Sequence, residues 1–553
     1  MRKIFFATSA VVFLSICLVS FWLPPILWTM LFFIPIFALG VHNATQTKRA
    51  LLRNFPLLAI FRYLFEMIRP EIQQYFVESD TDGAPVPRET RSVVYQRAKQ
   101  QTDTLPFGTQ RNVYAEGYEW IAHSLAPQNV NTKSLRVLVG GPQCSKPYSA
   151  AVLNISAMSY GALSKNAVLA LNGGAKLGGF YHNTGEGGVS PHHLAEGGDL
   201  IWQIGTGYFG ARNSEGNFCA ETFSKMAGHQ NIKMIEIKLS QGAKPSHGGI
   251  LPAAKITAEI MQIRNVIAGK DVVSPPAHSS FSTPTGLLNF VQLLRDLSGG
   301  KPVGFKLCIG RPSEFIAICK AMIESKILPD FITVDGGEGG TGAAPLEFSN
   351  SVGAPLEEGL SLVHNVLRGF DLRQHIRIIA SGKVLTGFNL FSRIALGADL
   401  CNTARGMMLA LGCIQARRCN TNDCPTGVAT SNPELVQGLV PSDKRVRVYN
   451  YQKHTVQAFA ELLGASGLQH PSQISGQAIH RRVSGTLVKT YQELFAPIEV
   501  GSFLRGQVPQ ELQADFASAN ADYFYRQESH SPAQVSSPPA DKGKSKDKSE
   551  QAA

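Results

Sequence analysis

FITVD (Phe331–Asp335), RIIAS (Arg377–Ser381) and DLCNT (399–403) are three short apolar runs, each ending in a polar residue, and each feeds a turn rich in small or basic residues. The first runs into Gly336-Gly337-Glu338-Gly339-Gly340, the second into Gly382-Lys383, the third into Ala404-Arg405-Gly406. Moving outward, VLNIS (152–156), GFYHN (179–183), MIEIK (234–238), DVV (271–273) and VGFKL (303–307) read as five earlier strands. Amphipathic stretches such as LSKNAVLALNGGAKL and PSEFIAICKAMIES separate them. Strand–helix units in succession from 151 to about 412 predict an α/β protein with a (β/α)₈ barrel, in which MIEIK is the third strand and DVV the fourth. A doubly wound open sheet is the alternative. Glycine-rich turns spread over many strand ends favour the barrel.

On the amino-terminal side, residues 4–23 carry no charge and suffice to cross a bilayer as a helix. Pro24-Pro25 breaks that run, and a second apolar run covers 26–41, so 1–45 is expected to form a transmembrane hairpin. Arg2 and Lys3 on one flank, with Lys48, Arg49 and Arg53 on the other, predict both ends in the cytoplasm, hence an inner-membrane protein whose catalytic region faces the cytoplasm. A cleaved signal peptide fits poorly with two apolar runs and no small-residue cleavage site. Region 46–150, with segments such as RYLFEMIRPEIQQYFVES, predicts helices packed on the catalytic body near the membrane. Region 151–432 is the barrel with its cysteines, 433–526 a helical extension, and 527–553 a Ser/Pro/Lys tail too poor in apolar residues to fold. The net charge of +11 would permit nucleic-acid binding, but it is scattered and no aromatic–basic motif accompanies it, so membrane lipid is the expected anionic partner.

Four motifs carry chemistry. Ser381, Gly382 and Lys383, with Ala404, Arg405 and Gly406, lie after the last two strands, where barrels commonly cradle a phosphate on backbone N–H groups; both glycines would otherwise serve as simple turns. The run at 335–342 has five glycines in eight residues, which suits either a backbone wall beside a flat ring or an unstructured lid. Cys413, Cys419 and Cys424, followed by proline, suit an iron–sulfur cluster; zinc would want a fourth ligand, and His454 is far along the chain. Three thiolates match a [3Fe–4S] cluster. The other six cysteines are dispersed, and the odd total argues against a disulfide framework. Lys238 and Lys244 could hold carboxylates, although spacing alone favours a solvated rim. Lys306, inside the apolar VGFKL, needs a charge partner, which a reduced flavin's anionic ring would supply.

Taken together, SAMSYGALSKNA, NTGEGGVSP, QIGTGYFGAR, KLSQGAKPSHGG, SPPAHS, GGTGAAP, LGADLCNTARG and LGCIQARRCNTNDCPTGVAT resemble, in order, the FMN-binding synthase domain of glutamate synthases. The resemblance implies FMN facing Ser159, Lys306, Ser381–Lys383 and Ala404–Gly406, and a [3Fe–4S] cluster on Cys413, Cys419 and Cys424. It further implies 2-oxoglutarate and ammonia as substrates, with Lys238 and Lys244 on the carboxylates, Glu186 lining the substrate and ammonia route, and electrons from a ferredoxin or reductase subunit. Departures also count. No amino-terminal glutaminase is read, so glutamine is not expected to be hydrolysed here. Nor is the family's carboxy-terminal β-helix read, and Ile250 stands where the family has a glutamine.

Overall fold

A computed structural model of the chain describes residues 1–267 and 269–525. Among these residues, eight parallel strands close into a barrel: β1 (Leu153–Ile155), β2 (His182–Asn183), β3 (Leu200–Ile204), β4 (Ile232–Lys238), β5 (Val303–Leu307), β6 (Phe331–Asp335), β7 (Arg377–Ser381) and β8 (Leu400–Thr403). β8 returns to β1 through Cys401↔Leu153, Asn402↔Asn154 and Thr403↔Ile155, which closes the sheet on itself.

One strand differs from the sequence expectation. DVV lies outside the barrel, where Val272–Val273 pairs antiparallel with Ile250–Leu251. The missing barrel strand is LIWQI, now β3, so MIEIK is the fourth strand and not the third. LIWQI is buried at every position, as a parallel strand covered on both faces must be. Its Gln203 and Trp202 disguise the apolar run, because Gln203 satisfies its amide on Glu236 inside the barrel.

Barrel contents are layered. At the amino-terminal mouth, Tyr181, Ile201, Met234, Phe331, Ile379 and Leu400 pack with Val139 and Ala150 from the hairpin Arg136–Val139/Tyr148–Ala151, which plugs that end. Each such fully buried large apolar side chain contributes about 1.5–3 kcal/mol. Above them, the fully buried Glu236 accepts hydrogen bonds from Asn183 (2.8 Å), Gln203 (2.7 Å) and Thr333 (2.6 Å). The carboxylate is therefore satisfied from three other strands across the barrel interior, as a buried charge requires. Only the carboxy-terminal mouth is left for chemistry.

The long helix Pro441–Ala465 packs on Lys165–Gly178, Gly387–Ala395, Arg88–Ala98 and Arg405–Leu411, and so crosses the β8–β1 seam. Gln452 donates to the Leu153 carbonyl of β1 (3.2 Å), while Tyr451 donates to Leu385 after β7 (3.0 Å). Beyond it the extension is less helical than expected: Ile479–Arg482 pairs with Val488–Thr490 and with Glu119–Ile121 of the connecting region. That region is likewise helical only as far as Ala98. The expected unfolded tail at 527–553 lies outside the described residues.

Arg2–Ser20 and Pro24–Thr45 are helices long and apolar enough to cross a membrane, and few of their side chains are buried. Pro24-Pro25 does not shorten the second run, because both prolines sit in its first turn, where no N–H partner is needed. A Cβ at Gly40 would strike the Phe5 ring, so this glycine lets the two helices touch.

Candidate active site

Of the fourteen site residues singled out above, eleven fall into three groups at the carboxy-terminal mouth, where barrel loops carry function, and the three cysteines form a fourth. The first is a cleft lined by Ser381, Gly382 and Lys383 after β7 and by Ala404, Arg405 and Gly406 after β8. Lys383 adopts a left-handed backbone (φ 48°), which turns the loop back over the cleft. Ser156 at the end of β1 and Ser381 share a hydrogen bond (3.2 Å) across its floor. Burial lowers the pKa of both Lys383 and Arg405, and Arg405 pushes Lys383 down further. Two desolvated cations repelling each other are what a dianion would relieve, so the residues present fit a phosphate. Gly406 has another reason: a Cβ there would run into the Tyr451 hydroxyl, so it admits the seam helix and not only a ligand.

Along one wall of this cleft lie Gly339 and Gly340 of the glycine run. The run is built into the barrel, with Gly336 N–H donating to Ser381 (3.1 Å) and Gly337 N–H to Ala354 (2.8 Å). A Cβ at Gly242, in the loop after β4, would overlap the Gly336 carbonyl oxygen, so these two loops meet backbone to backbone.

The centre holds Lys306, buried on β5 and 3.1 Å from Asp335 of β6. Burial alone would lower its pKa, but Asp335 and Glu236 hold the ammonium above its usual range. The charge partner anticipated from a flavin ring is thus supplied by the protein itself. Asp335 was missed in the sequence, although a charge at the end of an apolar barrel strand is a readable signal. Its carboxylate also accepts from the Gly242 N–H (3.0 Å).

The third group is Lys238, Glu186 and Lys244. Lys238 ends β4, in register with Lys306 on β5, and its ammonium lies 2.7 Å from Glu186 Oε1. Burial would raise the Glu186 carboxyl, yet Lys238, Lys244 and Arg264 hold it below its ordinary value. Lys244 donates to the Ala343 carbonyl (2.9 Å), and burial pushes its pKa down to about 8. A Cβ at Gly249 would lie 2.6 Å from Glu186 Oε1, so Ile250 directly follows the residue packed on that carboxylate. These lysines are no solvated rim: Lys238 is 8% exposed and Lys244 2%.

Ser159 joins this third group and not the cleft. Its backbone presses on Gly185, and its Cβ would lie 2.9 Å from a Cβ at Gly187. Arg264, which the sequence reading passed over, braces the same loop. It donates to the Tyr160 carbonyl (2.7 Å), lies over the Phe209 ring (5.1 Å), and its Nε has no hydrogen-bond partner among the described residues.

Cys413, Cys419 and Cys424 are free thiols in the loop after helix Arg405–Leu411. Among the described residues no three Cys, His, Asp or Glu converge as for a single metal ion. The three cysteines nevertheless share one apolar cluster and act electrostatically on one another. An iron–sulfur cluster spreads its thiolates over several irons instead of drawing them onto one. Burial raises Cys413 to about 11 and raises Cys419. Burial would raise Cys424 too, but backbone N–H groups of Ala429, Thr426 and Val428 bring it below its usual value. That set of donors, with the buried Lys255 ammonium felt by Cys419 and Cys424, fits an anionic thiolate centre.

The family model for the conserved region in glutamate synthase matches residues 125–469. The glutamate synthase large subunit-like protein YerD of Bacillus subtilis is 36% identical over 490 residues, covering 81% of this chain and 93% of that protein. The archaeal glutamate synthase [NADPH] of Methanocaldococcus jannaschii is 37% identical over 341 residues, covering 62% and 64%. Against the glutamate synthase [NADPH] large chain of Azospirillum brasilense the identity is 32%, over 58% of this chain and 20% of that one. A solved mandelate oxidase with (S)-2-phenylpropionate is 14% identical with a TM-score of 0.39, covering 72% of this chain and 97% of that one, too distant to speak of chemistry. With more than half of its length matched by the family model, this chain belongs to the glutamate synthase family, as an oxidoreductase acting on CH–NH2 donors.

Proposed function

We propose that this chain binds FMN and a [3Fe–4S] cluster and reduces an imino acid formed from 2-oxoglutarate and ammonia, giving glutamate. The observation that carries this reading is the separation of two cationic ends by a central ion pair: Lys383 and Arg405 at one, Lys238 and Lys244 at the other, Lys306–Asp335 between. Ser381–Lys383 and Ala404–Gly406 would hold the FMN phosphate, Lys306 would face the flavin, and Cys413, Cys419 and Cys424 would ligate the cluster. When bound, these groups supply the two electrons, taken from a donor protein such as a ferredoxin or reductase subunit. The chain's own residues do the rest. Lys238 and Lys244 hold the two carboxylates of the oxo acid. Condensation of the oxo acid with ammonia releases water; two electrons and two protons then convert the C=N bond to CH–NH. Glu186, which Lys238 keeps ionised beside the bound acid, is the group placed to accept hydrogen bonds from the incoming ammonia, while the two protons come from solvent. Ser159 and Arg264 fix its loop.

Ile250 favours a second reading, in which a different oxo or imino acid is reduced. An apolar residue beside Gly249 removes a polar contact next to Glu186. The helices Arg2–Ser20 and Pro24–Thr45 would anchor the enzyme in the inner membrane with the barrel in the cytoplasm, since Arg2, Lys3, Lys48, Arg49 and Arg53 flank them. The deciding experiment reduces the purified protein and asks which acid, with ammonia, re-oxidises it. Failure of 2-oxoglutarate while another oxo acid succeeds transfers the assignment. Cys→Ser at 413, 419 or 424 should each release the bound iron; iron retained in all three variants overturns the cluster assignment.

A further inference from the structure

The helix Leu58–Ile72 was expected to pack on the barrel, and it does not. Among the described residues of that helix, Ala59 alone is buried. Leu58, Phe61, Phe65, Ile68 and Ile72 recur every three or four residues and form one apolar stripe. Phe61 is 57% and Phe65 61% exposed, while Phe76 in the continuing turn Gln73–Val77 reaches 80%. The face next to it carries the exposed Arg62–Glu66 pair (3.7 Å) and Arg69. With Glu71 added, these charges make the helix too polar to cross a bilayer, yet its stripe is too apolar for water.

Its two ends are fixed by hydrogen bonds and a ring contact. At the start, the buried Asn43 of helix Met30–Thr45 donates to the Pro56 carbonyl (2.7 Å), and Arg49 lies over the Tyr63 ring (4.8 Å). The helix therefore begins where the second apolar helix ends, beside Lys48, Arg49 and Arg53. At the finish, Gln74 donates to the Ile414 carbonyl (3.0 Å). The same loop is held by Gln415, which exchanges two hydrogen bonds with the Val86 backbone, and by Tyr95, which donates to the Cys413 carbonyl (2.6 Å). Exposed Arg417 and Arg418 stand on that loop.

We propose that residues 58–77 lie in the lipid–water interface of an anionic membrane, apolar stripe toward the acyl chains, and so hold the 413–424 loop at the membrane surface. This rests on the membrane-anchor reading of Arg2–Ser20 and Pro24–Thr45. Basic residues at both ends of the segment match anionic headgroups, and the amphipathic stripe matches the acyl boundary. Whatever exchanges electrons at the cysteine loop would then meet it at the membrane.

The test uses the full chain in vesicles of phosphatidylcholine and phosphatidylglycerol, with a photoreactive benzophenone side chain at Phe61, Phe65, Arg62, Glu66 or, as a control, Phe32. Lipid adducts at Phe61 and Phe65 should exceed those at Arg62 and Glu66 about tenfold. Chain-to-chain adducts in their place, or equal yields at all four positions, overturn the proposal. Lipid adducts at Phe32 without any at Phe61 and Phe65 sink this inference and leave the anchor intact; adducts at Phe61 and Phe65 without any at Phe32 uphold it and sink the anchor. In a Phe61→Glu, Phe65→Glu double variant, tryptic cutting after Arg62 in vesicles should speed up about tenfold while the chain still resists alkaline extraction. Unchanged cutting also overturns it.

Discussion

The two cationic ends of the barrel mouth are built on opposite principles. At the β7–β8 end, Lys383 is exposed and Arg405 half-buried; they repel each other and form no ion pair among the described residues, feeling the Glu338 carboxylate, and in the case of Arg405 also Asp335, without a close contact, while Arg405 donates to the Glu338 carbonyl. At the β4 end, Lys238 is already neutralised by Glu186. An end whose cations have no carboxylate in direct contact gains most when an anion binds and gives it up least readily. An end that supplies its own carboxylate exchanges one anion for another at small net gain. The first design suits a resident phosphate, the second a substrate that must come and go.

Removing the cations of the first end is the strongest way to break this contrast. Lys383→Met with Arg405→Met deletes two charge-assisted contacts of about 1.5–3 kcal/mol each, so FMN affinity should fall by roughly two to four orders of magnitude in a fluorescence titration. Full flavin retention would mean that the cleft holds no phosphate. Next, Lys306→Met strands Asp335 in a buried site, and loss of one partner of such a pair costs about 3–5 kcal/mol, to be read by denaturant unfolding of the apoprotein. A loss below about 1 kcal/mol would show that the central pair is not structural.

At the second end, Lys244→Met should raise the KM for a dicarboxylate about ten- to a hundredfold with flavin content unchanged. The pH profile sharpens the same point. Because burial lowers Lys244 to about 8, its ammonium persists below that pH and is lost as pH rises through it. The kcat/KM for an anionic acid should therefore fall above about pH 8, where an ordinary lysine would hold to about 10, and this limb should vanish in Lys244→Met. Smallest of all, Ile250→Gln should improve turnover with 2-oxoglutarate only a few-fold, one neutral hydrogen bond being worth about 1 kcal/mol.

The barrel was readable because seven of its strands are apolar runs, six of them ending in polar residues. LIWQI escaped because Gln203 faces a carboxylate, Glu236, from another strand, and the sequence of one strand does not show its neighbour's needs. DVV took its place because two valines satisfy any strand rule, while their pairing with Ile250–Leu251 depends on a loop's path. The same limit governs the site. Ser381–Lys383 and Ala404–Gly406 were legible as turns on consecutive strands. The Lys238–Glu186 contact joins residues far apart in the chain, and the Lys306–Asp335 pair joins separate strands, so both emerge only once the barrel closes. The bare stripe of Leu58–Ile72 was equally hidden, since amphipathic periodicity states that one face needs cover and not what covers it.

The seam helix Pro441–Ala465 has a consequence for the order in which the molecule is made. It grips β1 through Gln452 and the turn after β7 through Tyr451, and it slots against Gly406 immediately after β8. These contacts span up to three hundred residues of chain, so their loop-closure entropy is met last. During synthesis the eight strands emerge before the helix that packs across their seam, so the β8–β1 pairing is without that brace until residue 465 has left the ribosome. A chain truncated before the helix would bare the apolar faces of Lys165–Gly178 and Gly387–Ala395 that it covers, and would be a target for aggregation or proteolysis even though every barrel strand is present.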